Sequence, residues 1–186
     1  GKGNAILTSS DGINWNENYD SRKFNSVAFG NNLFVAVGIY GIIKTSPDGI
    51  TWTSRTSNVD ATVSLYEVIY ANNMFVAVGD NENILTSPDG ITWTKVFSGI
   101  TSMLNSVAFG NNLFVAGGGS GRPITSTDGI TWTKQVSDFN GIPNKIVFGN
   151  NLFIAVGQGG RNATSTDGIT WTKRGFLPIE VNKAAI

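Results

Sequence analysis

The chain has neither cysteine nor histidine among its 186 residues. Without thiols there is no disulfide framework and no thiolate nucleophile, and the redox compartment stays open. Without imidazole there is no Ser-His-Asp or Cys-His catalysis, no histidine general base and none of the usual zinc sites. Charge is scarce, at 14% of residues, with 13 basic side chains balancing 13 acidic ones. Such a chain lacks the clustered basic field that nucleic acid or an anionic membrane surface demands. It also lacks a run of about 18 apolar residues, so no segment reads as a membrane-inserting helix. The sequence begins at Gly1 with no initiator Met and no signal peptide, which points to a processed, excised or partial chain.

What the chain has is repetition. The phrase S-x-D-G-x-x-W occurs at 9–15, 46–52, 87–93, 126–132 and 165–171, and its aspartates Asp11, Asp48, Asp89, Asp128 and Asp167 are spaced by 37, 41, 39 and 39 residues. A second phrase, NSVAFGNNLFVAVG at 25–38, returns with small changes at 66–79, 105–118 and 144–157. Self-similarity near 40 residues marks a solenoid, propeller or array.

Each unit reads as β throughout. A short apolar strand (SVAF) meets a Gly-Asn-Asn turn, and a β-branched strand (LFVAVG) follows. A variable loop leads to a third strand (IIKTS), a Pro-Asp-Gly turn and a fourth strand (ITWTS). Four antiparallel strands per unit fit the blade of a β-propeller. The expected fold is an all-β, five-bladed propeller in one domain, with blades at about 24–57, 65–98, 104–137 and 144–174. The fifth is assembled from 1–16 and 181–186, with Asn182–Ile186 as its first strand and Ala5–Ser9 and Ile13–Asn16 as its outer strands. It has no residues for a second strand. Either it is three-stranded, or a partner or residues outside the chain supply that strand, or the chain is part of a longer propeller.

The repeated S-x-D-G-x-x-W reads as a structural joint. Its Asp can accept turn N–H groups, its Gly supplies positive φ, and its Trp offers a flat face for packing. All five tryptophans, Trp15, Trp52, Trp93, Trp132 and Trp171, sit in these phrases. The phrase resembles the Asp box of sialidases, sortilin-type receptors and photosystem II assembly-factor propellers. That resemblance implies a turn between the third and fourth strands, at the rim and away from the ligand face. The longer repeat is similar to uncharacterised bacterial and phage propeller repeats, and the blade count resembles the five-bladed tachylectin lectins.

Enzymatic readings find little support. Outside the boxes the carboxylates are Asp20, Asp60, Asp80, Asp138, Glu17, Glu67, Glu82 and Glu180, and the arginines are Arg22, Arg55, Arg122, Arg161 and Arg174. The sialidase resemblance would imply an arginine triad with a Tyr–Glu pair, and no such set can be assigned. The expectation is no enzyme, no cofactor and no metal. The Gly-rich loops open no helix for phosphate, and the Asp-Gly turns lack a calcium-loop spacing.

A ligand is expected on the variable face. The loops between second and third strands present Lys2, Tyr40, Asp80, Glu82, Arg122 and Arg161. Equivalent positions at the start of the first strands hold Asn25, Tyr66, Asn105, Asn144 and Asn182, followed by Ser26, Glu67, Ser106, Lys145 and Lys183; the amides, beside these few charges, form either a ligand-binding ring or a set of turn caps. These features suggest a recognition or adhesion module, carbohydrate-binding and lectin-like, acting outside the cell, on a cell surface or on a virion. The alternative is a protein-binding scaffold of a larger surface or phage assembly, and a degenerate glycosidase is the remaining reading. Nucleic acid and membrane insertion are not expected.

Overall fold

In the computed structural model, residues 4–136 and 141–176 are described. Eighteen strands and two short 3-10 turns follow one another in chain order. The strands are β1 (Ala5–Thr8), β2 (Asn16–Tyr19), β3 (Phe24–Gly30), β4 (Leu33–Gly38), β5 (Ile43–Ser46), β6 (Thr53–Arg55), β7 (Leu65–Ala71), β8 (Met74–Gly79) and β9 (Asn83–Ser87). They continue with β10 (Thr94–Phe97), β11 (Leu104–Gly110), β12 (Leu113–Gly118), β13 (Ile124–Ser126), β14 (Thr133–Lys134), β15 (Pro143–Gly149), β16 (Leu152–Gly157), β17 (Arg161–Ser165) and β18 (Thr172–Phe176). Four antiparallel sheets of four strands, β3–β6, β7–β10, β11–β14 and β15–β18, accompany a two-stranded sheet of β1 and β2.

Within each complete sheet, the first two strands form a hairpin on a two-residue Asn-Asn turn. Both asparagines have positive φ, at 48° and 58° for Asn31 and Asn32, as a type I′ turn requires. The glycine before them has another purpose. A Cβ on Gly30 would lie 1.9 Å from the ring of Tyr70, and one on Gly110 would lie 2.1 Å from that of Phe148. The small residue ending one first strand is the seat for an aromatic ring of the next sheet.

The first strands β3, β7, β11 and β15 pack against one another in series. Three apolar clusters fill the spaces between adjacent sheets. One joins Val35, Val37 and Ile43 to Leu65, Phe75 and Trp93. The next joins Val76, Val78 and Ile84 to Leu104 and Phe114, and the third joins Val115 to Ile146, Phe153 and Trp171. Strand faces that look toward both neighbours therefore read as nearly continuous apolar runs.

The S-x-D-G-x-x-W segments join the third strand to the fourth. Ser46 donates its hydroxyl to Asp48 Oδ1 at 2.8 Å, and Oδ1 also accepts the N–H groups of Ile50 and Thr51 at 2.8 Å. The same set recurs around Asp11, Asp89, Asp128 and Asp167. Trp52, Trp93, Trp132 and Trp171 each donate Nε1–H to the glycine carbonyl of their own turn, at 2.9–3.1 Å. The sequence placed Ile13–Asn16 and each Ile-Thr-Trp in the fourth strand. The structure corrects this, because Asp Oδ1 ties down two consecutive N–H groups and holds these residues in the turn. The fourth strand starts after the tryptophan, as in Asn16–Tyr19 and Thr53–Arg55.

The turn glycine docks on the preceding sheet. A Cβ on Gly90 would meet Leu33 and Val35 at 3.0 Å, and one on Gly168 would meet Val115 and Leu113 at 2.7 and 3.0 Å. These turns are therefore joints between sheets, held at positive φ where no side chain fits. Gly12 has nothing within 4 Å among the described residues, and its Trp15 is 56% exposed. Polar contacts tie the two-stranded sheet to its successor instead. Thr8 donates to the Gly49 carbonyl, Asn18 donates to that of Ile50, and Lys44 pairs with Asp20 at 2.6 Å. The expected first strand at Asn182–Ile186, with Lys2, Asp138 and Glu180, lies outside the described residues.

The carboxylates of these turns give the fold an acid limit. N–H donation by Thr51 and Ile50 lowers Asp48 to about 2, and Thr131 and Ile130 do the same for Asp128. For Asp89, the Thr92 N–H leads the same downward shift. A carboxyl with a depressed folded-state pKa stabilises the fold above its unfolded value near 4 and loses that contribution as pH falls toward 2. Stability should therefore hold at neutral pH and fall between about pH 4 and 2, as read by denaturant midpoints across pH. Asp89→Ala should cost about 1–2 kcal/mol at neutral pH and flatten part of that acid slope. A slope unchanged by the substitution would remove the turns as its source.

Candidate functional site

Strands β7, β11 and β15 line an open cleft of about 540 Å³, walled by Ile69, Val107, Ala108 and Val147, with Glu67 and Lys145 among its polar residues. The backbone explains the alternation. Within a first strand, one side faces the next sheet and the other faces the preceding one. Ser26, Glu67 and Ser106 point forward, and each serves the next first strand. Ser26 Oγ accepts the Val68 N–H at 3.2 Å, Glu67 Oε2 accepts the Val107 N–H at 2.9 Å, and Ser106 Oγ accepts the Ile146 N–H at 2.9 Å.

Glu67 is 7% exposed and gathers more than this bond. Its Oε2 also accepts the Ser106 hydroxyl, and its Oε1 pairs with the Lys145 ammonium. One carboxylate thus ties three sheets together across the cleft. Sequence reading set Glu67, Ser106 and Lys145 beside the amide ring but not in contact with one another. The available signal was a Glu and a Lys, two units apart, at a position that holds Ser elsewhere.

The amide ring is partly committed to structure. Asn25 Nδ2 donates to the Leu65 carbonyl at 2.8 Å, and Asn105 Nδ2 to that of Pro143 at 3.2 Å. These side chains bridge neighbouring sheets. Tyr66 donates its hydroxyl to Asp80 at 2.7 Å, and Asp80 also accepts the Ser64 N–H at 3.0 Å. Burial, with Asp80 stabilising the protonated phenol, raises Tyr66 to about 12. Asn144 is half-buried at its equivalent place, and Asn182 lies outside the described residues.

The loops between second and third strands carry the exposed candidates. Tyr40 is 59% exposed and sits at φ +60° in a tight turn. Glu82 also has positive φ, and its N–H is bonded to the Ser102 carbonyl. Arg161 opens β17, paired with Phe176, and its stem lies against Gly141. Arg122 occupies the equivalent position but precedes β13, because Pro123 has no N–H for the ladder. Both guanidinium-bearing residues are exposed. No group of three or more His, Cys, Asp or Glu that could hold a metal ion occurs among the described residues. Among the described residues, no helix is long and apolar enough to cross a membrane.

No family model matches the chain, and no curated protein matches it either. Solved structures do. It superposes on YCF48 bound to D1 peptide with a TM-score of 0.66 and 18% identity, covering 90% of this chain and 59% of that one. YCF48 from Cyanidioschyzon merolae matches at 0.62 and 18%, covering 92% of this chain and 56% of that one. The computationally designed Ika4 protein gives 0.65 and 17%, with coverage of 78% and 92%. A chain of a nidogen/laminin complex gives 0.66 and 14%, with coverage of 82% and 64%. The fold is that of a β-propeller. The chain spans 56–59% of the length of the YCF48 proteins it matches.

Proposed function

We propose that the protein is a non-enzymatic recognition module that binds an extended polypeptide segment on its loop face, acting outside the cell or on a particle surface. The supporting observation is the central cleft, whose apolar walls at Ile69, Val107 and Val147 suit an aliphatic side chain beside the Glu67–Lys145 pair. Exposed Arg122 and Arg161 on neighbouring loops would hold carboxylates or carbonyls of the same segment. The propeller neighbours include one bound to a peptide and one from a protein–protein complex.

Peptide and glycan arrays probed with the intact chain test this reading. Saturable binding to peptides is the expected result. Arg122→Ala and Arg161→Ala should each weaken it several-fold while stability stays within about 0.5 kcal/mol, since both are exposed loop changes. Binding to glycans alone, or peptide affinity unchanged in both variants, would overturn the proposal.

A further inference from the structure

From the end of the second strand to the serine of the Asp-Gly turn, the four complete sheets have the same number of residues. The third residue past the second strand is Gly41, Glu82, Gly121 or Gly160, and all four are left-handed, with φ of 62°, 59°, 68° and 70°. Glycine takes that backbone freely, whereas a side chain crowds the following carbonyl. Glu82 thus stands where its loop type asks for glycine. Its carboxylate makes no hydrogen bond or ion pair among the described residues, so the fold gains nothing from it there. Beneath the same loop, Asn83 is 2% exposed and donates Nδ2–H to the carbonyls of Asp80 and Asn81 at 2.6 and 3.3 Å. The Oδ1 of that amide is buried under the loop with no donor among the described residues. A free carboxylate and an unsatisfied amide oxygen give this loop acceptors in excess, the complement of an ammonium or guanidinium group.

Charge on the loop face has a direction. The Asp80 loop is joined to the one that leads into β7, because Asp80 accepts the Ser64 N–H and its own N–H bonds the Ser64 carbonyl. Asp80 is also engaged by Tyr66, which leaves exposed Asp60 and half-buried Glu82 as the carboxylates of these two loops. The next two sheets carry exposed Arg122 and Arg161 at one position of the equivalent loop. The cleft repeats this order, with Glu67 on β7 and Lys145 on β15. Acid therefore stands on sheet β7–β10 and base on the two sheets after it, at the rim and in the cleft alike. Lys23, exposed before β3, has the whole sheet β3–β6 between it and the acidic loops.

We propose that the loop face takes a polypeptide segment of mixed charge, with a Lys or Arg side chain held at Asp60 and Glu82 and an Asp or Glu side chain held at Arg122 and Arg161. This rests on the peptide reading given above and adds the class of segment. The basic side chain brings the N–H donors that the Asp80–Asn83 loop lacks, and the acidic one accepts the forked donors of a guanidinium. Ile69, Val107 and Val147, from the first strands of the same three sheets, suit an aliphatic residue between them. A doubly basic segment meets the arginines and a doubly acidic one meets the carboxylates, so like charge disfavours both.

The test is titration of the intact chain with end-capped peptides in which two charged residues flank Leu- and Thr-containing spacers of graded length. Three charge classes are compared: one Lys with one Glu, both Lys, and both Glu. The mixed class should bind about fivefold tighter or more than the others, the upper end for one exposed ion pair. Glu82→Lys should raise the doubly acidic class above the mixed one. Glu82→Gly should weaken the mixed class about fivefold yet keep or raise the thermal midpoint, since glycine relieves the left-handed backbone. A lower midpoint with unchanged binding would make Glu82 structural and overturn the proposal. Equal binding of the three classes, or a ranking indifferent to Glu82→Lys, would overturn it too and leave the peptide reading standing. Binding by none of the peptides would overturn both.

Discussion

Glu67→Ala should lower stability by about 3 kcal/mol, toward the bottom of the range for breaking a buried pair, because Lys145 is partly exposed. The reasoning starts from what the carboxylate holds. It accepts the Ser106 hydroxyl, the Val107 N–H and the Lys145 ammonium, so its loss leaves a backbone donor unpaired and takes a carboxylate away from Lys145 where three sheets meet. For a domain of this size the thermal midpoint should fall by about 6–12 °C. Calorimetry of wild type and variant checks it. The double variant Glu67→Gln/Lys145→Met should recover much of the loss, since it replaces both charged partners by neutral shapes of similar size. A single variant as stable as wild type would remove Glu67 as the tie between sheets.

Gly110→Val should cost about 2–4 kcal/mol, and Gly149→Val almost nothing. The two glycines hold the same position in consecutive units. At Gly110 a new Cβ falls 2.1 Å from the Phe148 ring, so the ring must leave its seat and its contact with Phe153, where the centroids are 4.6 Å apart. Overpacking a filled core costs about 1–3 kcal/mol, and the lost ring pair adds to it. At Gly149 the backbone is not left-handed and the position is exposed, so the change should stay within about 0.5 kcal/mol. Denaturant melts of both variants decide the matter. Equal costs would mean that a ring is seated on Gly149 as well.

The parts of the fold legible in the sequence were those whose chemistry is local. The Asn-Asn turns, the Asp-Gly turns and the four-strand period each depend on residues within a few positions of one another, and the structure has them. The start of the fourth strand was misread because β-favouring Ile, Thr and Trp were outweighed by one carboxylate oxygen holding two N–H groups. What no local reading could supply is place in the series. Val27 and Val107 have identical neighbours in sequence and opposite exposure, and the difference lies in which sheet stands beside them. The site followed the same division. Tyr40, Arg122 and Arg161 could be placed on exposed loops because loops vary between units. The bonds Glu67 makes were not legible because its partners Ser106 and Lys145 are 39 and 78 residues away.

The unequal settings of the five indoles also have an optical consequence. Trp93 and Trp171 are buried, Trp52 and Trp132 are partly covered, and Trp15 stands in solvent. The chain's intrinsic emission is therefore a sum over chromophores in graded polarity, with one dominated by water at the first turn and the bluest in the middle of the series. A quencher in solution samples that first turn before any other. Selective excitation at the red edge reads the two-stranded sheet apart from the rest, without a label.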